Sequence, residues 1–367
     1  MSYSKENQPT VSIIIPVFNR ERFIGNLLNS VLRQSFSDYE VICVDNGSTD
    51  KTHDMIVPFC KKDERFICVT KEHGSAGSAR NKGLDLARGK YIMFFDSDDG
   101  YHQDMLMEMV STAEKHNADE VFCLCEEYNY RTHIKRENLG FDYNYFPDDV
   151  PVKTAEVTKL FQRINWVVTN AIFLKEIIDQ HHLRYPESRA SEDLLFICEY
   201  AAMTKTIVGI RKTFVTYRKS IDGESLTSVR WRYSYDIIDM LIELRDWLIE
   251  KRIYNEYRET YLLLFIYAIK GNGQFPINPR YIDAVTEALC SSDLFSGIDQ
   301  QELYDRYWSI LDKEDLIKRI RYLYTKDNAR EDEVQSCCNL LLTILSIEEQ
   351  AQKKYGRILN PNKCISS

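Results

Sequence analysis

Asp96-Ser97-Asp98-Asp99 places three carboxylates within four positions, directly after the apolar run Tyr91-Ile92-Met93-Phe94-Phe95. Anions this close repel one another, so a fold that keeps them together needs a counter-charge. A hard divalent cation, Mg²⁺ or Mn²⁺, would take oxygens from Asp96, Asp98 and Asp99 and fill its remaining positions with water and phosphate. The cluster is therefore a candidate metal–diphosphate site. Strand alternation would send Asp96 and Asp98 to one side and leave Asp99 to open the following turn. A solvated acidic turn is the plain alternative, and the surrounding sequence weighs against it.

Two other segments could carry chemistry. In Asp45-Asn46-Gly47-Ser48-Thr49-Asp50 the first two side chains can bond a base or ribose. Gly47 permits an unusual backbone turn, and the hydroxyls or Asp50 can cap the next helix. Gly74-Ser75-Ala76-Gly77-Ser78-Ala79-Arg80-Asn81-Lys82-Gly83 joins a small-residue loop to a helix start. It suits either a phosphate or close helix packing, and Arg80 adds a forked cation. A dinucleotide fingerprint would put GxGxxG after the first strand, where this chain has Pro16-Val17-Phe18-Asn19. The seven histidines form no zinc spacing, and His102 reads as a helix-start residue.

These segments need a scaffold that gathers them. From Val11 to about Leu124 short β-branched runs (Val11–Ile15, Val41–Val44, Phe66–Val69, Tyr91–Phe95) alternate with amphipathic stretches at Glu21–Gln34 and from about Asp50 and Ser75. That alternation predicts a doubly wound, mostly parallel α/β sheet covered on both faces, with ligands beyond the carboxyl ends of the strands. Tyr128–Val152 reads as a long loop over the site. Strand-like Val167-Val168-Thr169, helices at Leu174–Gln180 and from Ser191, and strands at Thr206–Ile210 and Phe214–Tyr217 complete the domain. Beyond about Arg230 the periodicity is helical, at Ile237, Ile238, Leu241, Leu244 and Leu248, then at Leu316–Tyr324 and Cys338–Ile347, with a break at Gly271–Pro276. The expected domains are a catalytic one over 1–229 and an α-helical C-terminal region over 230–367, which packs, self-associates or binds an acceptor.

With 367 residues, 44% hydrophobic and 28% charged, the chain can bury a substantial core, which excludes a fibrous or disordered protein. A net charge of -9 argues against nucleic acid as a partner. The first ten residues are polar and the longest apolar run, near Tyr261–Ile269, is far short of a bilayer span. A cytoplasmic location is expected. The ten scattered cysteines, with no CxxC pair, read as reduced thiols.

The motifs together resemble the inverting nucleotide-sugar glycosyltransferases of family 2, which have the GT-A fold. The resemblance rests on Val11–Asn19, Gln34-Ser35-Phe36, Asp45–Asp50, Gly77–Gly83 and Phe94–Asp99, and more loosely on Ser191-Glu192-Asp193-Leu194-Leu195-Phe196, Tyr217-Arg218 and Ser225-Leu226-Thr227. It covers about the first 230 residues. It implies that Pro16, Phe18 and Asn19 line a base and ribose pocket, that Asp45 or Asn46 recognises the uracil or ribose, and that Arg80 helps hold the nucleotide. Asp96, Ser97 and Asp98 would form the DxD motif, with Asp98 on ribose or metal and Asp99 a further metal ligand. Asp193 would be the general base, with Glu192 the runner-up. The expected activity moves a sugar from a nucleotide sugar, a UDP-sugar by preference, to a hydroxyl of a glycan or lipid-linked acceptor in surface polysaccharide synthesis.

The chain departs from the family pattern at two places. Asn46 stands where most relatives have a second Asp, and Lys219-Ser220 stands where many have a His ligand, so no third protein ligand is identified. Lys219 or Arg218 is a candidate to neutralise the diphosphate. Sugar-phosphate nucleotidyl transfer and a catalytically inactive glycan-binding scaffold are the rival functions. The aromatic and basic residues of the tail, among them Trp231, Tyr233, Trp247, Arg319, Arg321 and Tyr322, suit peripheral contact with the inner face of the membrane as well as an acceptor or a core.

Overall fold

Four runs of buried β-branched and aromatic residues supply the centre of the sheet. The computed structural model describes residues 8–129, 131–138, 144–164, 167–188, 191–219, 235–272, 279–291, 312–324 and 331–356. Within them the chain forms β1 (Val11–Val17), α1 (Ile24–Leu32), β2 (Tyr39–Asp45), α2 (Thr52–Lys62), β3 (Phe66–Thr70), α3 (Ala76–Leu86), β4 (Tyr91–Phe94), β5 (Gly100–Tyr101) and α4 (Met105–His116). There follow β6 (Glu120–Asn129), β7 (Ile134–Asn138), β8 (Pro151–Lys153), α5 (Leu160–Arg163), β9 (Ala171–Leu174), α6 (Lys175–His181), α7 (Glu192–Met203) and β10 (Thr206–Lys219). The ten-stranded sheet runs β3-β2-β1-β4-β9-β6-β10-β5, with β7 on β6 and β8 on β10. Strands β3, β2, β1 and β4 are parallel, β9 runs against both β4 and β6, and β6 and β10 are again parallel. This is the mostly parallel, helix-covered sheet that the alternation predicts.

Helix α3 lies close on β1 because Gly83 has no side chain: a Cβ there would sit 2.3 Å from Ile14 Cγ2. That approach brings the helix's Arg80 under the carboxyl end of the sheet. The aromatic side chains of Phe94, Phe173, Phe196 and Tyr200 meet edge to face between β4, β9 and α7, and Tyr185 stacks on Phe196 at 4.4 Å. This buried layer fixes the start of α7, and with it Glu192 and Asp193.

Several local expectations are corrected. Val168–Asn170 is a 3-10 turn rather than a strand, and β9 begins only at Ala171. Asn170 is fully buried and its amide donates to Cys123 O at 2.6 Å, a bond that a continuous strand through Val167–Thr169 would break. The two strands predicted at Thr206–Ile210 and Phe214–Tyr217 are one strand, β10. Its register shifts between Ile210 and Val215, where exposed Arg211 and Lys212 interrupt the apolar pattern. Part of the long loop expected over Tyr128–Val152 is the antiparallel hairpin of β6 with β7.

The chain divides into two compact units, Met1–Ser225 and Leu226–Ser367. The expected boundary at 229/230 lies outside the described residues, as do Trp231, Tyr233, Ser225-Leu226-Thr227 and most of the Gly271–Pro276 break. The second unit contains α8 (Asp236–Glu250), α9 (Tyr254–Asn272), α10 (Pro279–Ser291), α11 (Lys313–Tyr324) and α12 (Glu331–Tyr355). Its interior includes Leu241, Leu244 and Leu248 of α8, Tyr261, Phe265 and Ile266 of α9, Val285 of α10 and Leu340 and Ile347 of α12. The periods of α8 and α12 were legible because each buries one stripe, whereas α9 is buried on nearly every side from Thr260 to Ile269. No helix among the described residues is long and apolar enough to cross a membrane.

Candidate active site

Strand β4 ends at Phe94, two residues before the first aspartate, so the carboxylates meet in a turn and not by strand alternation. The Asp99 N–H donates to Asp96 O at 3.2 Å to close that turn. Phe95 stacks flat on Tyr101 with centroids 3.6 Å apart, and the Tyr101 hydroxyl accepts from the Asp96 N–H at 2.7 Å. Gln34 ties the next residues to the end of α1: its amide donates to His102 O at 2.8 Å and accepts from Leu106 N at 3.1 Å. Asp99 is 2% exposed; its Oδ1 accepts from the Arg218 N–H at 3.1 Å, while its Oδ2 is buried without a hydrogen-bond partner. Burial, with the charges of Asp96 and Asp98 added, holds Asp99 well above the usual carboxylate range. Asp98 is raised by the same causes, burial first and Asp96 second, against the pull of Arg20.

Arg80 sits beneath this turn at 4% exposure. Its Nη2 donates to Asp96 Oδ1 at 3.1 Å, its Nη1 donates to Glu192 Oε1 at 3.0 Å, and the same Nη1 lies 3.2 Å from Asp193 Oδ1. Its guanidinium also lies 5.2 Å from the centre of the Tyr185 ring. One buried cation thus faces three carboxylates from two distant segments. Its neighbours, Asp193 first and Asp96 next, hold the Arg80 proton more tightly than usual despite burial. The sequence suggested a nucleotide contact for Arg80, and the structure places it in this bridge. Gly77, which the sequence left open between phosphate cradle and close packing, is packed: a Cβ there would lie 2.8 Å from Pro186 O.

Of the two acids at the start of α7, Glu192 makes the hydrogen bond to Arg80, and Asp193 Oδ1 is left without one. Burial raises Asp193 to about 7, with Glu192 and Asp96 reinforcing it and Arg80 opposing. Its side chain is about a third exposed, so a carboxylate whose proton affinity is raised and which is still reachable is what a proton acceptor requires.

The ends of β1 and β2 form the neighbouring wall. Asn19 adopts φ +51°, and its side-chain oxygen accepts from Thr49 N at 2.8 Å. Asp45 is buried, accepts from Ser48 N at 3.0 Å and lies 3.5 Å from His53 Nδ1. The Asn46 amide is fully engaged: it donates to Gly74 O at 2.8 Å and accepts from Gly74 N at 3.0 Å and Lys71 Nζ at 2.9 Å. Those bonds tie β2 to the loop before α3. Phe18 is exposed and lies against the His73 ring, with centroids 4.1 Å apart, while Pro16 is partly buried on β1 opposite Val44. Ser97 is buried within the acidic turn. Lys219 pairs with Glu127 at 2.6 Å.

Arg20 was not singled out by the sequence. Its Nη2 lies 3.3 Å from Asp98 Oδ2, and its Nη1 donates to Phe18 O at 3.3 Å and Asn19 O at 3.2 Å. The only sequence signal was a basic residue directly after a strand-end Asn, too common to carry an assignment. His102, by contrast, stands at the start of α4 as expected, its Nδ1 accepting from Asp104 N at 3.3 Å. Among the described residues no group of three or more His, Cys, Asp or Glu side chains is arranged to hold a metal ion by itself.

Comparison with known proteins places these features in a group. Residues 12–181 match the family model described as Glycosyl transferase family 2. A poly(ribitol-phosphate) beta-glucosyltransferase of Bacillus spizizenii is 36% identical over 222 residues, 59% of this chain but 33% of that protein. The chain therefore spans about a third of that relative. The crystal structure of TarS residues 1–349 from S. aureus in complex with UDP-GlcNAc superposes with a TM-score of 0.66 at 19% identity, covering 95% of this chain and 93% of that one. The mannosyltransferase PcManGT from Pyrobaculum calidifontis, in complex with GDP-Man and Mn²⁺, gives a TM-score of 0.52 at 15% identity over 95% of this chain and 89% of that one. At these identities the two structures speak to the fold, which is GT-A.

Proposed function

We propose that this chain, whose residues 12–181 match glycosyltransferase family 2, uses a divalent cation to transfer a sugar, with inversion, from a UDP-sugar to a hydroxyl of a surface-glycan or lipid-linked acceptor. The observation that carries the reading is the Arg80 bridge: a single buried guanidinium joins the acidic turn to Asp193, so the donor end and the base end share one anchor. The donor set fits a hard cation. Asp98 and Asp99 offer oxygen ligands, diphosphate and water would complete the shell, and the buried Asp99 Oδ2 has no hydrogen-bond partner. Asp98 and Asp99, with Asp96 turned towards Arg80, would hold Mn²⁺ or Mg²⁺, which when bound offsets charge on the leaving diphosphate.

The protein's own residues do the rest. Asp193 takes the proton of the attacking hydroxyl on the part of its carboxylate that stays open, while Arg80, 3.2 Å from the buried Oδ1, keeps the group in place. Glu192, which already accepts from Arg80, serves better as a positioning partner than as the base. Asn46 and Lys71 hold the strand-end loop, leaving Phe18, Asn19 and Asp45 to receive the nucleoside. The helical region, residues 230–367, is the candidate for acceptor binding, self-association or contact with a membrane surface. The UDP preference is supported by the TarS likeness, and PcManGT, crystallised with GDP-Man, marks the alternative base.

Calorimetry tests the reading. UDP should bind in the presence of Mn²⁺ and lose most of its affinity when EDTA removes the ion. Equal affinity in both conditions would overturn the metal assignment, and tighter binding of GDP than UDP would overturn the donor. Hydrolysis of a panel of UDP-sugars under Mn²⁺ then identifies the sugar.

A further inference from the structure

Two arginines form side-chain ion pairs with the carboxylates of the acidic turn, and they differ in their freedom to move. Arg80 is 4% exposed and held by carboxylates from both sides. The Arg20 side chain is 38% exposed, and it pairs with Asp98 at 3.3 Å, beyond the usual length of a charge-assisted hydrogen bond. Only Nη1 ties Arg20 to the backbone, through Phe18 O and Asn19 O, and its buried Nε has no hydrogen-bond partner. Arg80 is built in; Arg20 can leave.

We infer that Arg20 is an exchangeable counter-cation, which holds Asp98 while the donor site is empty and transfers its charge to the diphosphate when nucleotide and divalent ion bind. The inference rests on the proposed UDP and metal reading and deepens it. A divalent ion approaching Asp98 finds a guanidinium already there, so Arg20 opposes binding of the ion alone. A diphosphate reverses the sign. Once its oxygens are present, the guanidinium has a second anion within reach of a side chain that is hinged at the end of β1, and the forked donor suits phosphate geometry. Ion and nucleotide should therefore bind with positive coupling, and Arg20 should supply a large part of it. Asp99 cannot play this part, since its Oδ1 is fixed by the Arg218 N–H and its Oδ2 has no hydrogen-bonded partner to release.

The test measures each ligand separately in the full-length protein. Free Mn²⁺ is followed by electron paramagnetic resonance, first with protein alone, and UDP affinity is measured by calorimetry at saturating Mn²⁺. Arg20→Met should bind Mn²⁺ alone about tenfold more tightly and UDP with Mn²⁺ about tenfold more weakly, as expected for removing one half-exposed charge. The coupling factor should fall towards one. Arg20→Gln, which keeps a donor for the Phe18 and Asn19 carbonyls, should behave alike and serves if the methionine variant does not fold. If a folded neutral variant binds Mn²⁺ no more tightly than the wild type, or keeps the wild-type coupling, the exchange is disproved while the donor reading stands. If the wild type itself fails to bind UDP with Mn²⁺, the donor reading fails first.

Discussion

The two ends of the same parallel strands carry the same chemical groups in opposite states. At the amino end, Glu40 is 2% exposed yet fully engaged: it accepts from Ser12 Oγ and Arg88 N at 2.7 Å, and from Arg88 Nε and Nη2 at 2.9 and 2.7 Å. Ser12 Oγ in turn accepts from Gly89 N at 2.8 Å. Gly89 is required there, because a Cβ would lie 2.5 Å from Ser12 N. At the carboxyl end, Asp99 and Asp193 keep buried oxygens without hydrogen-bond partners, and the carboxylates outnumber Arg20 and Arg80, which pair with them. A fold that satisfies Glu40 so completely has the means to satisfy acids. Leaving two of them wanting at the other end is a feature that a ligand completes.

The largest test of that contrast removes the free base. Asp193→Asn should fold, bind UDP with Mn²⁺, and lose transfer by about 10²–10⁴-fold, the usual weight of a positioned base. The wild-type rate should fall with acid at a pH above the usual carboxylate range, because burial raises Asp193 and its protonated form cannot accept the hydroxyl proton, and this limb should disappear in the variant. A Glu192→Gln variant that is dead beside an active Asp193→Asn would reverse the assignment. Next in size, Asp99→Asn should weaken UDP binding in Mn²⁺ by about tenfold to a hundredfold and leave thermal stability equal or higher, since it replaces a buried carboxyl group whose ionised form is disfavoured without ligand. A loss of stability with unchanged UDP affinity would mean that the acidic turn is structural.

The amino end should answer in the other currency. Glu40→Ala should cost about 3 kcal/mol of folding stability, from four lost hydrogen bonds to a buried carboxylate, while the folded fraction keeps its transfer rate. Chemical denaturation and activity per folded molecule read the two effects apart. A variant that is stable but slow would erase the distinction between the two ends.

The carboxyl end was legible in the sequence and the amino end was not, for a physical reason. Asp96, Asp98 and Asp99 are neighbours along the chain, and their chemistry follows from spacing alone. Glu40 meets Ser12 only through the β1–β2 register and Arg88 only through the turn after α3, so no local pattern announces them. Even at the legible end the sequence supplied residues and not their contacts. It did not show that Arg80 bridges Asp96 to Asp193, that the Asn46 amide is consumed by the loop at Gly74, or that Arg20 lies against Asp98. Val167–Thr169 failed as a strand because local β-branching was overruled by a buried amide, Asn170, whose partner Cys123 lies on another strand.

Glu120 offers the smallest and sharpest test, because it is an unpaired acid at the otherwise satisfied end. It opens β6 at 4% exposure, beside Asp119, whose Oδ2 accepts from Lys205 N at 2.7 Å and Thr206 N at 2.9 Å. No such donors bond Glu120 in the same way; burial first, and then Asp119, raise it to about 8. The folded protein therefore keeps this proton where the unfolded chain, with an ordinary glutamate near 4.3, has released it. Folded pKa above unfolded pKa means that the native state binds more protons in that window, so stability falls as pH rises from about 4 to about 8. Between pH 6 and pH 8 the loss attributable to Glu120 should be about 2 kcal/mol. Glu120→Gln, which carries no titrating proton, should remove that part of the slope and be the more stable protein at pH 8. Urea unfolding at both pH values decides it: parallel slopes in the two proteins would show that Glu120 is ionised and paired in the fold, and that the amino end neutralises its acids by partners alone.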